Sequence, residues 1–170
     1  MTTVAFCDGT MAADTQITDG SDSKMPTIYS KLHRLKSGAI LGQTGENADI
    51  RELKELLDNV KYPSDLPKKQ ELKEIEIDFE GLLYLPGKTL WSIEINYDKD
   101  KDKWDASIIQ IKKDYYAIGS GGAYAIGAME AGAKVKLAVE IACMYDIYSS
   151  EPIETMTLLE TKSNSKKEKK

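Results

Sequence analysis

The chain opens MTTVAFCDGTMAADTQ, with a threonine in second place. A threonine hydroxyl is a poor nucleophile and needs a nearby base. If Met1 is removed, Thr2 carries its own base, an α-amino group with a reference pKa of about 8. That value lies close to working pH, where general-base catalysis is efficient. Thr2 also reads as the plain first residue of a β-hairpin, and its position alone does not choose between the two.

Other chemistries fit the sequence less well. The chain has one histidine, His33, and two widely separated cysteines, Cys7 and Cys143, too few ligands for a His/Cys zinc site. A Ser-His-Asp triad would depend on His33, which in KLHRL reads as an ordinary strand residue. GLLYLPGKT resembles a phosphate-binding loop, but five residues separate Gly81 from Gly87 where four are needed, and Pro86 removes a backbone donor. IGSGGAY departs from the dinucleotide fingerprint at Tyr124, and from the nucleophile elbow at Ile118. The tip DKDKDK alternates acids with lysines and reads as a solvated loop rather than a metal site.

The elements that would position these residues can be followed along the chain. TTVAFCDGTMAADTQ is two apolar-rich runs around Asp8-Gly9, a strong hairpin signal. KLHRLKSGAILGQTG repeats the arrangement around Ser37-Gly38. ENADIRELKELLDNV spaces Ile50, Leu53, Leu56, Leu57 and Val60 as a helix would. Pro63 and Pro67 mark a break. KKQELKEIEIDFEGLLYL suits a helix through Leu72, Ile75 and Phe79, but Ile75, Ile77 and Phe79 also alternate. TLWSIEINY and WDASIIQIK form a third hairpin, and YYAIGS a short strand that runs into the small-residue helix GGAYAIGAMEAGA. KVKLAVEIACMYDIY is an amphipathic helix with Val135, Leu137, Ala138, Ile141 and Ala142 toward a core, and IETMTLLE closes as a strand. Many hairpins, with helices segregated between them, predict an α+β sandwich of two mostly antiparallel sheets covered by helices.

Composition sets the outer bounds. At 170 residues the chain supports one well-buried core. An apolar fraction of 41% and a charged fraction of 30% are ordinary for a globular protein. A net charge of −5 argues against a nucleic-acid partner, which requires a basic face. No apolar run approaches the roughly 18 residues of a membrane span, and no basic n-region precedes an apolar stretch. A soluble cytoplasmic protein with reduced thiols is expected. The domain is expected to span residues 1–161, followed by a disordered lysine-rich tail, 162–170.

As an ordered set, several segments resemble the proteasome β-subunit family, including the HslV peptidases, within the N-terminal nucleophile hydrolases. They are TTVAF at the start, AADTQ with Asp14, SKLHRL with Lys31, GQTGENAD with Gly45, AIGSGG with Ser120, and YDIYSS with Asp146 and Ser149. The resemblance implies a four-layer αββα sandwich and a threonine endopeptidase acting through Thr2 after loss of Met1, with no cofactor and no metal. It implies that Lys31 sits beside the Thr2 hydroxyl, that Asp14 holds Lys31 charged, and that the Gly45 N–H serves an oxyanion hole. Ser120, Asp146 and Ser149 would position the terminal amine. Tyr29, Gln43 and Asn47 would lie near the first specificity pocket, where Gln43 suggests a polar floor. Taken alone, Asp14 reads as a turn acid, Lys31 as a surface lysine, Ser120 as a helix cap and Asp146 as a late-helix polar residue.

Members of that family assemble into rings, usually stacked in pairs, served by a separate ATPase. A homo-oligomeric ring acting on peptides or unfolded proteins, with an AAA+ unfoldase partner, is therefore implied here. The Thr2-to-Asp14 spacing is tighter than is usual in the family, so the first hairpin is shortened, and residues 61–104 have no clear family match. Two other functions stay open at this point: a non-catalytic subunit acting in assembly or modulation of another protease complex, and an amidase acting on a small molecule.

Overall fold

A computed structural model describes residues 2–18, 23–25, 27–44 and 50–159. Strands β1 (Thr3–Cys7) and β2 (Thr10–Asp14) form the first hairpin. Its two turn residues, Asp8 and Gly9, both take left-handed backbone angles, as a two-residue hairpin turn requires. The second hairpin joins β3 (Leu32–Arg34) to β4 (Ile40–Thr44). It continues through β5 (Phe79–Tyr84), β6 (Leu90–Asp98) and β7 (Lys103–Ile111) as a five-stranded meander. Strands β8 (Tyr115–Gly119) and β9 (Ile153–Thr157) flank the first hairpin, giving a four-stranded sheet of order β8-β1-β2-β9. Every described strand pairing within the two sheets is antiparallel.

Alternation along the strands sorts the apolar residues into three buried clusters. Val4, Phe6, Met11 and Ala13 face across the sandwich to Ile40, Leu82, Tyr84 and Leu90. The intervening Ala5 and Ala12 pack beneath helices α3 (Gly122–Glu130) and α4 (Val135–Tyr145). On the other outer face, Leu41, Leu83 and Ile93 meet Leu53 and Leu57 of α1 (Arg51–Leu57) and Leu72 of α2 (Lys69–Lys73). Helices, two sheets and helices thus make the expected αββα sandwich. Among the described residues no helix is long and apolar enough to cross a membrane.

Two local readings change. The ambiguous stretch divides its two periodicities: Leu72 is buried from a one-turn helix, Glu76 takes a left-handed angle that breaks it, and the strand starts at Phe79. In α4, Leu137 is 48% exposed and Val139 is buried in its place. Steps of three and four from Val135 reach Ala138, Val139 and Ala142, whereas Leu137 falls on the opposite side of the helix. The expected domain limit at 161 and the tail lie beyond the described residues.

Gly42 sets how closely the sheets approach. A β-carbon there would fall 2.6 Å from both Met11 Sδ and Val4 Cγ1. Gly42→Ala should therefore destabilise the fold by about 1–3 kcal/mol through overpacking, read from the shift in urea midpoint.

Candidate active site

The end of β2 and the entry to β3 come together around a buried ion pair. Asp14 is fully buried and Lys31 is 5% exposed. The Lys31 ammonium donates to both carboxylate oxygens of Asp14, at 2.9 and 3.0 Å, and also to Thr2 Oγ1. The Thr2 hydroxyl donates to Asp14 Oδ1. Three backbone N–H groups complete the carboxylate's shell: Thr3 at 2.8 Å, Gln16 at 3.0 Å and Ser150 at 3.4 Å. Burial pulls the Lys31 pKa below the usual lysine value, and the Asp14 charge and hydrogen bond oppose that pull.

A second cluster lies against the same strand end. Ser120 Oγ, just after β8, donates to Asp146 Oδ2 at 2.7 Å and lies 3.4 Å from the Thr2 carbonyl oxygen. Ser149 Oγ donates to the same Asp146 oxygen at 2.6 Å. With its proton so engaged, Ser149 accepts from the Thr3 hydroxyl at 2.8 Å. Gly119 makes this approach possible. Its φ is +85°, and a β-carbon there would stand 2.0 Å from the Thr2 carbonyl oxygen.

The third group is a chain of polar side chains on the β3–β4 hairpin and the segment before it. Gln43 donates to the Tyr29 hydroxyl at 3.4 Å and accepts from His33 Nε2 at 3.0 Å. Burial and the nearby Lys54 charge lower the His33 pKa, so neutral imidazole with its proton on Nε2 fits this bond. The Gln43 backbone N–H donates to the Lys31 carbonyl at 2.9 Å, which ties this group to the ion pair.

The structure thus brings Thr2, Asp14 and Lys31 into one cluster, Ser120, Asp146 and Ser149 into an adjoining one, and Tyr29 beside Gln43. Gly45 and Asn47 lie outside the described residues. Four residues around these groups had no assigned role in the sequence: Thr3, His33, Glu154 and Ser150. The alternation of β3 could have suggested His33, since it shares a face of the hairpin with Gln43. Nothing local marks Glu154. Among the described residues no three of His, Cys, Asp and Glu come together as metal ligands would.

The fold, two antiparallel sheets between helices, is shared with solved structures of HslV and BPH. The eukaryotic HslV of Trypanosoma brucei superposes with a TM-score of 0.64 at 20% identity, covering 91% of this chain and 97% of that one. BPH of Thiobacillus denitrificans gives 0.62 at 20% identity over 93% and 98%. The structure of BPH in complex with epoxomicin gives 0.62 at 19% identity over 94% and 99%. The resemblance in the sequence motifs is matched at the level of the fold. No protein-family model and no curated sequence matches the chain.

Asp14→Asn leaves a buried ammonium facing a neutral partner and should cost about 3–5 kcal/mol near neutral pH. Where the folded Lys31 pKa lies below the unfolded value, the unfolded chain binds more protons and stability rises with pH. Removing the Asp14 charge lowers the folded pKa further, so that rise should begin at lower pH in Asp14→Asn than in wild type. Urea denaturation across the alkaline range measures it.

Proposed function

We propose that this protein is a threonine peptidase of the proteasome and HslV type, active once the Met1–Thr2 bond is cut. The observation that carries this reading is the buried Lys31 ammonium on Thr2 Oγ1, held there by Asp14. In the proposed reaction Thr2 Oγ1 attacks a peptide carbonyl carbon while its proton passes to the free Thr2 amine. The ammonium of Lys31 stabilises negative charge on the attacking oxygen. Collapse breaks the C–N bond, and the leaving amine takes the proton from the Thr2 ammonium. The acyl group then rests on Thr2 as an ester, which water cleaves with the amine again as base.

The Ser120–Asp146–Ser149 cluster supports this reading by accepting the Thr3 hydroxyl at Ser149 and setting Ser120 against the Thr2 carbonyl. It would orient the terminal amine toward its own side chain. The Gly45 N–H is proposed as the oxyanion donor. A homo-oligomeric ring, its stacking and an AAA+ unfoldase partner belong to the same proposal, as does a cytoplasmic setting.

Intact mass of the purified protein and turnover of fluorogenic peptides test the activity. Loss of Met1 and measurable turnover are expected, with Thr2→Ala at background and Lys31→Ala reduced by about 10²–10³-fold. Retained Met1 without turnover would overturn the reading and leave a non-catalytic subunit, and turnover unaffected by Thr2→Ala would overturn it by taking the chemistry away from Thr2. A mass increase equal to epoxomicin in wild type, absent from Thr2→Ala, would add a second readout.

The Tyr29–Gln43–His33 chain supports a first specificity pocket with polar character. Gln43→Leu should shift the ratio of kcat/KM for polar over apolar residues before the scissile bond by about 2–10-fold toward apolar ones. A panel of peptides varied at that one position measures the ratio.

A further inference from the structure

Glu154 lies on β9, in register with Ala13 of β2 and therefore in the four-stranded sheet. Its carboxylate reaches across to the other sheet. Oε1 accepts the backbone N–H of Lys31 and, at 2.9 Å, that of Leu32, where β3 begins. Oε2 accepts the Ser30 hydroxyl at 2.7 Å. On its other side the Lys31 main chain is held by the Gln43 N–H. One carboxylate therefore takes three donors from three consecutive residues, and the middle one carries the site's ammonium.

A backbone pair of free N–H groups at a strand entry would ordinarily be met by water or by another strand. Here β3 is the edge of its sheet and β9 the edge of the other, so among the described residues no strand pairs with either group from that side. Glu154 supplies what a strand would have supplied, and it adds a negative charge beside Lys31. Among the described residues, the titratable groups whose charge acts on Lys31 are Asp14 from β2, Glu154 from β9 and the Cys143 thiol from α4. The first two favour the ammonium. The thiol is kept protonated, its pKa pushed up to about 12 by burial and the surrounding carboxylates.

We propose that Glu154 is a positioning residue for Lys31, fixing its main chain across the seam between the sheets and helping to keep its side chain charged. The proposal rests on the catalytic role argued above for Lys31. A displacement of about 1 Å at such a group costs on the order of 10²-fold in rate. Glu154→Gln retains an acceptor oxygen but loses the charge, whereas Glu154→Ala loses both.

The experiment combines peptide turnover across pH with a lysine side-chain NMR titration of Lys31 and a thermal melt, in wild type, Glu154→Gln and Glu154→Ala. In Glu154→Ala kcat should fall about 100-fold with KM within about twofold. Glu154→Gln should recover part of that loss, while its alkaline activity limb and the Lys31 titration both move to lower pH. Full turnover in Glu154→Ala would overturn the proposal. So would a Lys31 titration unmoved in Glu154→Gln, whatever the melt shows. If the wild type turns over no peptide, the proposed activity fails, and the Lys31 titration alone then decides the part played by Glu154.

Discussion

A lysine ammonium removed from water must find compensation, and in this protein it finds it in Asp14. Desolvating a charge costs several kcal/mol, and its attraction to a partner offsets this only with close geometry and further hydrogen bonds. Asp14 meets both conditions, binding Lys31 through two oxygens while accepting three backbone N–H groups. Those N–H groups come from Thr3, Gln16 and Ser150, so the carboxylate fastens three chain segments as well as one side chain. Thr2 inherits its environment from that arrangement: its hydroxyl has a carboxylate to donate to and an ammonium to accept from.

The sandwich around the pair places the strand ends that carry it. The first hairpin lies at the centre of the four-stranded sheet, with β8 and β9 on either side. Those neighbours deliver Ser120 and Glu154 to opposite flanks of the site. Helix α4 ends at Tyr145, so Asp146 caps it and turns back toward Ser120 and Ser149. The four-stranded sheet contributes Thr3, Asp14 and Glu154, with Thr2 just ahead of β1, and the chain entering the five-stranded sheet contributes Lys31. The site is therefore a contact between sheets, and any change in their separation is felt at Thr2.

Much of the architecture was legible because it depends on local patterns. Asp8-Gly9 and Ser37-Gly38 mark their turns by backbone preference, and the apolar-rich runs on either side of each turn mark the paired strands. The failures have equally local causes. Leu137 is apolar, yet helix geometry turns it away from Val135 and Ala138. The stretch at 68–85 carries two periods because it holds two elements, divided by a left-handed Glu76. The ordered motifs pointed to Thr2, Asp14 and Lys31, and to Ser120, Asp146 and Ser149. They did not point to Glu154, because an acid in the exposed-looking run EPIETMT has no local signature for a partner more than 120 residues away.

By itself the sequence determined what neighbouring residues can settle: the hairpins, the helices, the absence of a histidine-based catalytic set, and the residue types from which a threonine-centred site could be made. No local pattern joins Asp14 to Lys31, seventeen positions on; tertiary structure buries them as a pair. It alone put Ser149 against Thr3 and Glu154 against the main chain of Lys31. The physical reason is that side-chain period and turn preference act over a few residues. Charge compensation in a dry interior depends on distance through space, which only the packing of the two sheets sets.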